Sequence, residues 1–412
     1  MTTSTAARPQ SLDPVLPAPG GGETLGQVLR DRLRRIRKGD VGGLSVYFGL
    51  VLVWVVFQLV NGRFLSDDNL HNLARQISYG GVISLGVVMV LLIGEVDLSV
   101  GSVCGFGAAV LAVLVQKGGV NPYLGILATV VAGGAVGALQ GFIRTRMNVP
   151  SFIVTLGGLL LFLGVQLRLL GKTGTILFPF GGAISQLEGR SLAPAIGYVV
   201  AAVAVLCFLV TALLGRRRRL RVGLPAAQPG LVAAKVIALA VVLFVVFWEL
   251  NRAIGVPVAL VIFLALVVFF WFLITQTRYG QRVRAVGGNA EAARRAGINV
   301  DRIRVSVFAI SGAMAAAGGV LAASYVGAAS QDLGGSTLLL YSIAAAVIGG
   351  TSLFGGRGSA WSAAIGWLVI GSIYNGMYLL NLVSDLQYMV IGAVLVAAVV
   401  VDSVSRRRST TT

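Results

Sequence analysis

The chain has 412 residues, of which 56% are hydrophobic and 12% charged, with a mean hydropathy of +0.88. A soluble globular domain carries roughly 25% charged residues, so this composition excludes one and implies an all-α, polytopic membrane protein. The formal net charge of +18 does not imply nucleic acid, because the basic residues come in short clusters between apolar runs with no aromatic interleaving, a pattern that membrane orientation explains.

Residues 1–43 are rich in Pro, Gly, Ser and Thr and turn basic from Arg30 to Lys38, which predicts a disordered cytoplasmic tail; no cleavable leader is visible, since the apolar stretch begins too late. Apolar runs near the 20 or so residues that cross a bilayer follow at 44–60, 76–94, 99–116, 122–143, 151–170 and 193–214. Six more lie at 231–250, 256–275, 305–327, 337–350, 359–379 and 386–404, the run at 337–350 being short enough for a half-span. This reading makes 44–404 a transmembrane domain of about twelve helices and 405–412 a cytoplasmic tail. With the first residues inside, strict alternation puts 26 Lys and Arg on the inner side and seven on the outer side. That bias sets the orientation, with both ends and the 276–304 loop cytoplasmic.

Between the second and third runs the chain reads G-E-V-D-L-S-V-G-S, from Gly94 to Ser102. Carboxylates so close to a membrane must be satisfied. One reading is a helix break at which Asp97 or Ser99 caps the helix that follows, with Gly94 and Gly101 allowing close backbone approach; the other is a proton relay through Glu95 and Asp97, which the scarcity of acids in other spans disfavours. Gly133, Gly137 and Gly141 repeat every fourth residue, as do Gly101 and Gly105, a spacing that predicts close helix contacts.

The 276–304 loop contains a small helix with both ends specified. Asn289 can cap it after Gly288, Glu291 sits in its first turn, Arg294 and Arg295 near its end, and Gly297 stops it. Glu291 and Arg295 also form an i,i+4 pair, worth only about 0.2–0.5 kcal/mol. About two turns of helix cannot stand on propensity alone, so something must pack on it. The segment reads either as an amphipathic helix on the membrane surface or as a docking helix. Glu291, Ala292 and Ala293, followed after three residues by Gly297, resemble the EAA loop of ABC-transporter permeases, which fits a groove of the ATPase subunit.

The run Gly349–Ser359, G-G-T-S-L-F-G-G-R-G-S, carries Gly349, Gly350, Gly355 and Gly356. Glycine at this density predicts irregular backbone at the membrane edge, buried in protein or lining a cavity. It lacks the phosphate-loop pattern, as does Gly171-Lys172-Thr173, where Gln166 stands in place of the first glycine, so no nucleotide site is encoded. Cys104 and Cys207 read as packed small residues and His71 has no companion, so no metal site, bound cofactor or catalytic residue is expected.

Four stretches in the same order, Gly94 to Ser102, N-V-P-S-F-I-V-T-L-G from Asn148 to Gly157, Arg278 to Val300 and Gly349 to Ser359, are similar to the permease subunits of monosaccharide ABC importers of the ribose and xylose type. The resemblance runs from about residue 60 to 404. Ribose-type members have ten spans; this chain carries an extra pair at about 193–250, as the longer xylose-type permeases do, and a hairpin insertion preserves topology. The resemblance implies a pore subunit in the cell membrane that does no covalent chemistry. It also implies a second copy of the chain as pore partner, an ATPase docked on the Glu291 helix and an extracytoplasmic sugar-binding protein delivering xylose or a related sugar. Ser151, Phe152 and Asn375 are candidates for the substrate path, and membrane lipid is the remaining partner. The rival is a twelve-span secondary transporter, which calls for coupling charges within spans and an inverted repeat of broken helices.

Overall fold

The computed structural model describes residues 44–223, 226, 228–394 and 396; the expected tails at 1–43 and 405–412, and the last run beyond 396, lie outside the described residues. The described residues are mostly helical, and eight of their helices are long and apolar enough to cross a membrane. In order the described helices are α1 (Leu44–Val60), α2 (Asp67–Leu92), α3 (Val100–Ala112), α4 (Pro122–Arg146), α5 (Ser151–Leu170) and the short α6 (Ser185–Gly189). Then come α7 (Pro194–Arg221), α8 (Pro229–Ala253), α9 (Val258–Gln276), α10 (Arg278–Gly288), α11 (Ala290–Arg295), α12 (Val300–Val326), α13 (Ser336–Ile348), α14 (Ala360–Leu379) and a helix from 384 to 394.

One compact unit contains Tyr198–Val246; the other holds the described residues up to Gly197 and from Phe247 onward. The first is the middle of the α7–α8 hairpin, where Tyr198 and Phe244 stack with centroids 5.9 Å apart. Helix α7 runs on through Arg216–Arg221, a cluster expected beyond the apolar run, because arginine is itself a good helix former.

The larger unit is built around α2 and α12, each longer than its apolar run suggested. Polar residues that a hydropathy window discounts are helical because caps specify them. Ser66 Oγ accepts from the Asn69 amide with Asp67 and Asp68 in the first turn, and Asn299 Oδ1 accepts from the Arg302 amide with Asp301 in the first turn. Helix α2 is wrapped by α9, α12, α13 and α14. On α4 the glycine stripe lies against α12: a Cβ at Gly141 would fall 2.9 Å from Val305 Cα, and one at Gly137 would strike the Phe308 carbonyl. Gly101 and Gly105 serve a different partner. They meet the carbonyls of Leu333, Gly334 and Gly335 in a non-helical segment, with Gln166 of α5 beside Gly105 and Leu339 of α13 beside Gly101.

That segment explains the short α13. Thirteen residues of helix span about 20 Å, so irregular backbone covers part of the crossing, and its carbonyls need donors away from water. Gln166 of α5, fully buried, supplies them, donating through Nε2 to Ser330 O at 2.9 Å and Leu333 O at 3.1 Å. On the side opposite the 276–304 loop, two short ladders close the structure. β1 (Thr175–Leu177) pairs antiparallel with β4 (Ala328–Ser330), and β2 (Ser191–Leu192) with β3 (Val256–Pro257). The second ladder joins the chain just before α7 to the chain just after α8.

Candidate functional site

The 276–304 loop is more ordered than one small helix. Thr277 Oγ1 accepts from the Gly280 amide and starts α10, an element absent from the sequence reading because its mean character is polar. Val283 and Val286, three apart, anchor its inner face, and Tyr279 hydroxyl meets Ser306 Oγ of α12 at 2.9 Å. Burial pushes the Tyr279 phenol above its ordinary range, with the Ser306 hydrogen bond opposing.

Helix α11 follows at once. Asn289 Oδ1 accepts from the Ala292 amide at 2.9 Å, so Asn289 is the N-cap. At the other end Ile298 N–H reaches Ala293 O and Gly297 N–H reaches Arg294 O, both at 3.0 Å, with Gly297 at φ +81°. This pair of bonds is a Schellman motif, which needs a left-handed residue that only glycine adopts without strain. Glu291 holds Arg295 Nε at 3.2 Å and Arg294 at 3.3 Å. Ala293 is buried and anchors the turn; Gly288, Asn289, Glu291, Ala292, Arg294, Arg295 and Gly297 are exposed. The result is a rigid knob of small side chains ringed by arginines.

Behind the knob three glycine-bearing backbones converge. The Gly356 amide donates to Leu92 O at 2.9 Å, at the last residue of α2. A Cβ at Gly287 would strike that same carbonyl and lie 2.8 Å from Gly356 N. One at Gly355 would be 2.7 Å from Gly287 O and 2.8 Å from Gly94 N. So the ends of α10 and α2 and the Gly349–Ser359 run touch main chain to main chain. Gly349 approaches the Ser362 carbonyl of α14 as closely, whereas a Cβ at Gly350 or Gly288 would meet open space.

Charge clamps the same end. Glu95 Oε1 accepts from Arg144 Nη2 at 2.8 Å and lies 3.2 Å from Arg304 Nε, so one carboxylate ties the α2–α3 break to α4 and α12. Asp97 corrects the capping expectation. Its Oδ1 takes the amide and hydroxyl of Ser99 at 2.9 and 2.6 Å, its Oδ2 takes Ser311 Oγ at 2.8 Å, and Ser99 makes no side-chain cap to α3. The break is thus bound to α12 by hydrogen bonds rather than stopped by a local cap; its start at Ser99 is in the αR region, the wrong backbone for capping.

The three path candidates are not brought together. Ser151 Oγ accepts from the Val96 amide just past the end of α2, while Asn375 Oδ1 accepts from Asn69 in its first turn, at the opposite end. Phe152 is 53% exposed on the flank of α5. Cys104 is buried as expected, but Cys207 is exposed on α7. His71 donates from Nδ1 to Gly255 O at 3.1 Å.

The family model for "branched-chain amino acid transport system / permease component" matches residues 69–399. The chain is 40% identical over 350 residues to the xylose transport system permease protein XylH of Escherichia coli (strain K12), covering 85% of this chain and 88% of that one. It is 34% identical over 369 residues to XylH of Haemophilus influenzae, covering 89% and 98%. To the ribose import permease protein RbsC of Bacillus subtilis it is 29% identical over 364 residues, covering 88% and 94%. No solved structure matches.

Proposed function

We propose, from the premise that this chain belongs to the branched-chain amino acid transport system / permease component family, that it is the pore subunit of an ATP-driven importer of xylose or a related monosaccharide. The knob on α11 is read as the docking surface for a separate ATPase, and a sugar-binding protein delivers substrate to the opposite face. Two copies of the chain form the pore, with lipid against the apolar outer flanks.

One observation carries the coupling half of this reading: the main-chain junction of Gly287, Leu92 and Gly356. A knob on a flexible tether dissipates displacement, whereas close-packed backbone transmits it, because packed interfaces are bistable rather than compliant. A push on α11 therefore moves α10, and α10 abuts both the end of α2 and the loop between α13 and α14. Nucleotide closing the ATPase must favour one pore state by several kcal/mol, about 5.5 for a full reversal from 1:99 to 99:1. The chain itself does no covalent chemistry in this scheme.

The sugar assignment follows the relatives named above and is separable from the family description, which names amino acids. The deciding experiment reconstitutes the chain with its ATPase and binding protein and follows uptake of D-xylose, ribose and leucine. ATP-dependent xylose or ribose uptake is expected, with no saturable nucleotide binding by the chain alone. Leucine uptake without sugar uptake overturns the substrate reading; nucleotide binding by the isolated chain overturns the subunit reading.

A further inference from the structure

Helix α2 is buried on every side from His71 to Ile93 except at three positions, Asn72, Arg75 and Tyr79. Their spacing of three and four puts them on one stripe, about 10 Å long. A generic lipid-facing stripe is apolar; this one carries an amide, a guanidinium and a phenol. Polar groups at such positions face a bundle interior or a water-filled cavity and mark substrate paths.

The groups around the stripe form a connected site. Tyr325 of α12, also half-buried, donates its hydroxyl to Asn72 Oδ1 at 2.9 Å and accepts from Gln76 Nε2 at 3.1 Å. The Tyr79 and Tyr325 rings lie 5.4 Å apart, and the Arg75 guanidinium sits 4.9 Å over Tyr325. Gln76 is only 2% exposed, yet its Oε1 has no hydrogen-bond partner, while buried Glu188 is ion-paired with Arg75 at 3.6 Å. Buried polar atoms left unpaired are rare and expensive, so the Gln76 oxygen awaits a donor. Below Tyr79 the stripe ends in packed side chains. Val82 and Ile83 are fully buried, and Trp367 packs on Gly80 with Nε1 donated to Ser84 Oγ at 2.6 Å.

We propose that Asn72, Gln76, Tyr79 and Tyr325, with the Arg75–Glu188 pair beside them, form a station for a neutral monosaccharide in the half of the pore away from the 276–304 loop, its floor at Trp367. This rests on the importer reading above. Amide and phenol groups that both give and take hydrogen bonds match a ring of hydroxyls, and the tyrosine faces suit the apolar C–H face of a sugar. Arg75 and Glu188 already face each other at 3.6 Å, so the groups left for a ligand are the amides and phenols.

Tyr325→Phe removes one oxygen and Gln76→Leu one amide, with little change in shape. In reconstituted importer each is expected to lower D-xylose uptake at least tenfold and to change the xylose-to-ribose uptake ratio, a shift that a merely structural defect does not produce. A thiol test stands independently of folding yield in those variants. Asn72→Cys, in a chain with Cys104→Ala and Cys207→Ser, should react with a membrane-impermeant charged thiol reagent added on the binding-protein side and lose uptake on reaction, while Val82→Cys stays inert. An inert Asn72→Cys, or wild-type rates and ratios in both substitutions, overturns the station but leaves the importer reading intact. A wild-type complex that moves no sugar overturns the importer reading, and the station falls with it.

Discussion

The backbone amide of Gly356 donates to the carbonyl oxygen of Leu92 at 2.9 Å, joining residues far apart in the chain at the point where Gly287 presses on the same carbonyl. Any side chain at Gly287 must displace the end of α2, the Gly355–Gly356 turn, or both. Gly355 and Gly356 are at φ +84° and +74°, where a substituted residue is strained by about 1–2 kcal/mol before any clash is counted.

Gly287→Ala should therefore separate docking from transmission. The α11 knob is untouched, so the ATPase should co-purify at wild-type amounts while sugar uptake falls at least tenfold. Gly288→Ala, whose Cβ meets nothing within 4 Å, should behave as wild type. Equal uptake by the two variants would show that the junction transmits nothing.

Substitutions in the knob should fail differently. Glu291 and its arginine partners are more than half exposed, so these ion pairs contribute at most about 1 kcal/mol and Glu291→Lys should not reduce membrane protein. Gly297→Val meets no neighbour and carries only backbone strain, of order 1–2 kcal/mol. Both variants should lose ATPase co-purification and uptake together, by about thirtyfold if 2 kcal/mol is lost at the centre of an interface. Retained ATPase and full uptake in both would make α11 a plain surface helix.

The Glu95 clamp makes a stability prediction. Removing its charge leaves Arg144 and Arg304, both largely buried, without their shared partner. Breaking a buried pair from one side costs about 3–5 kcal/mol, so Glu95→Gln should lower the thermal unfolding midpoint of the purified chain by several degrees. An unchanged midpoint would mean that solvent reaches the clamp.

Glu188, in α6 outside the spans, gives a pH dependence. Burial pushes its carboxyl well above the ordinary value, with Arg75 opposing from 3.6 Å. A folded value raised above the unfolded one means the folded state binds more protons. Its contribution to stability is thus complete below pH 4.5, the ordinary value, and is lost as pH rises through the folded value. Glu188→Gln should flatten the fall in thermal midpoint on the alkaline side; parallel pH curves for the two proteins would refute the assignment.

The α7–α8 hairpin should be removable. Its stems are held by the β2–β3 ladder, with Val258 N–H on Arg190 O at 3.1 Å, and Gly197 faces Phe247 across the stems. Replacing 198–246 by a short Gly-Ser linker joins two ends already in contact. Membrane level and sugar uptake should stay within a few-fold of wild type. Loss of either would show that the pair belongs to the pore and is no insertion.

The features legible from residue order alone are local. A polytopic helical membrane protein follows from the runs of apolar residues, and the knob follows from Asn289, Glu291 and Gly297, whose bonding partners lie within five residues. Caps and i,i+4 pairs act through neighbours along the chain, so residue types alone reveal them. The tertiary structure decided everything that joins distant segments. Polar α10 is helical because Val283 and Val286 find a core. Asp97 binds Ser311, 214 residues away, where a local cap was the simpler expectation. Gln76 meets Tyr325 across 249 residues, which no periodicity encodes. In a bilayer buried polar atoms must find partners inside the protein, and only packing settles which helix supplies them.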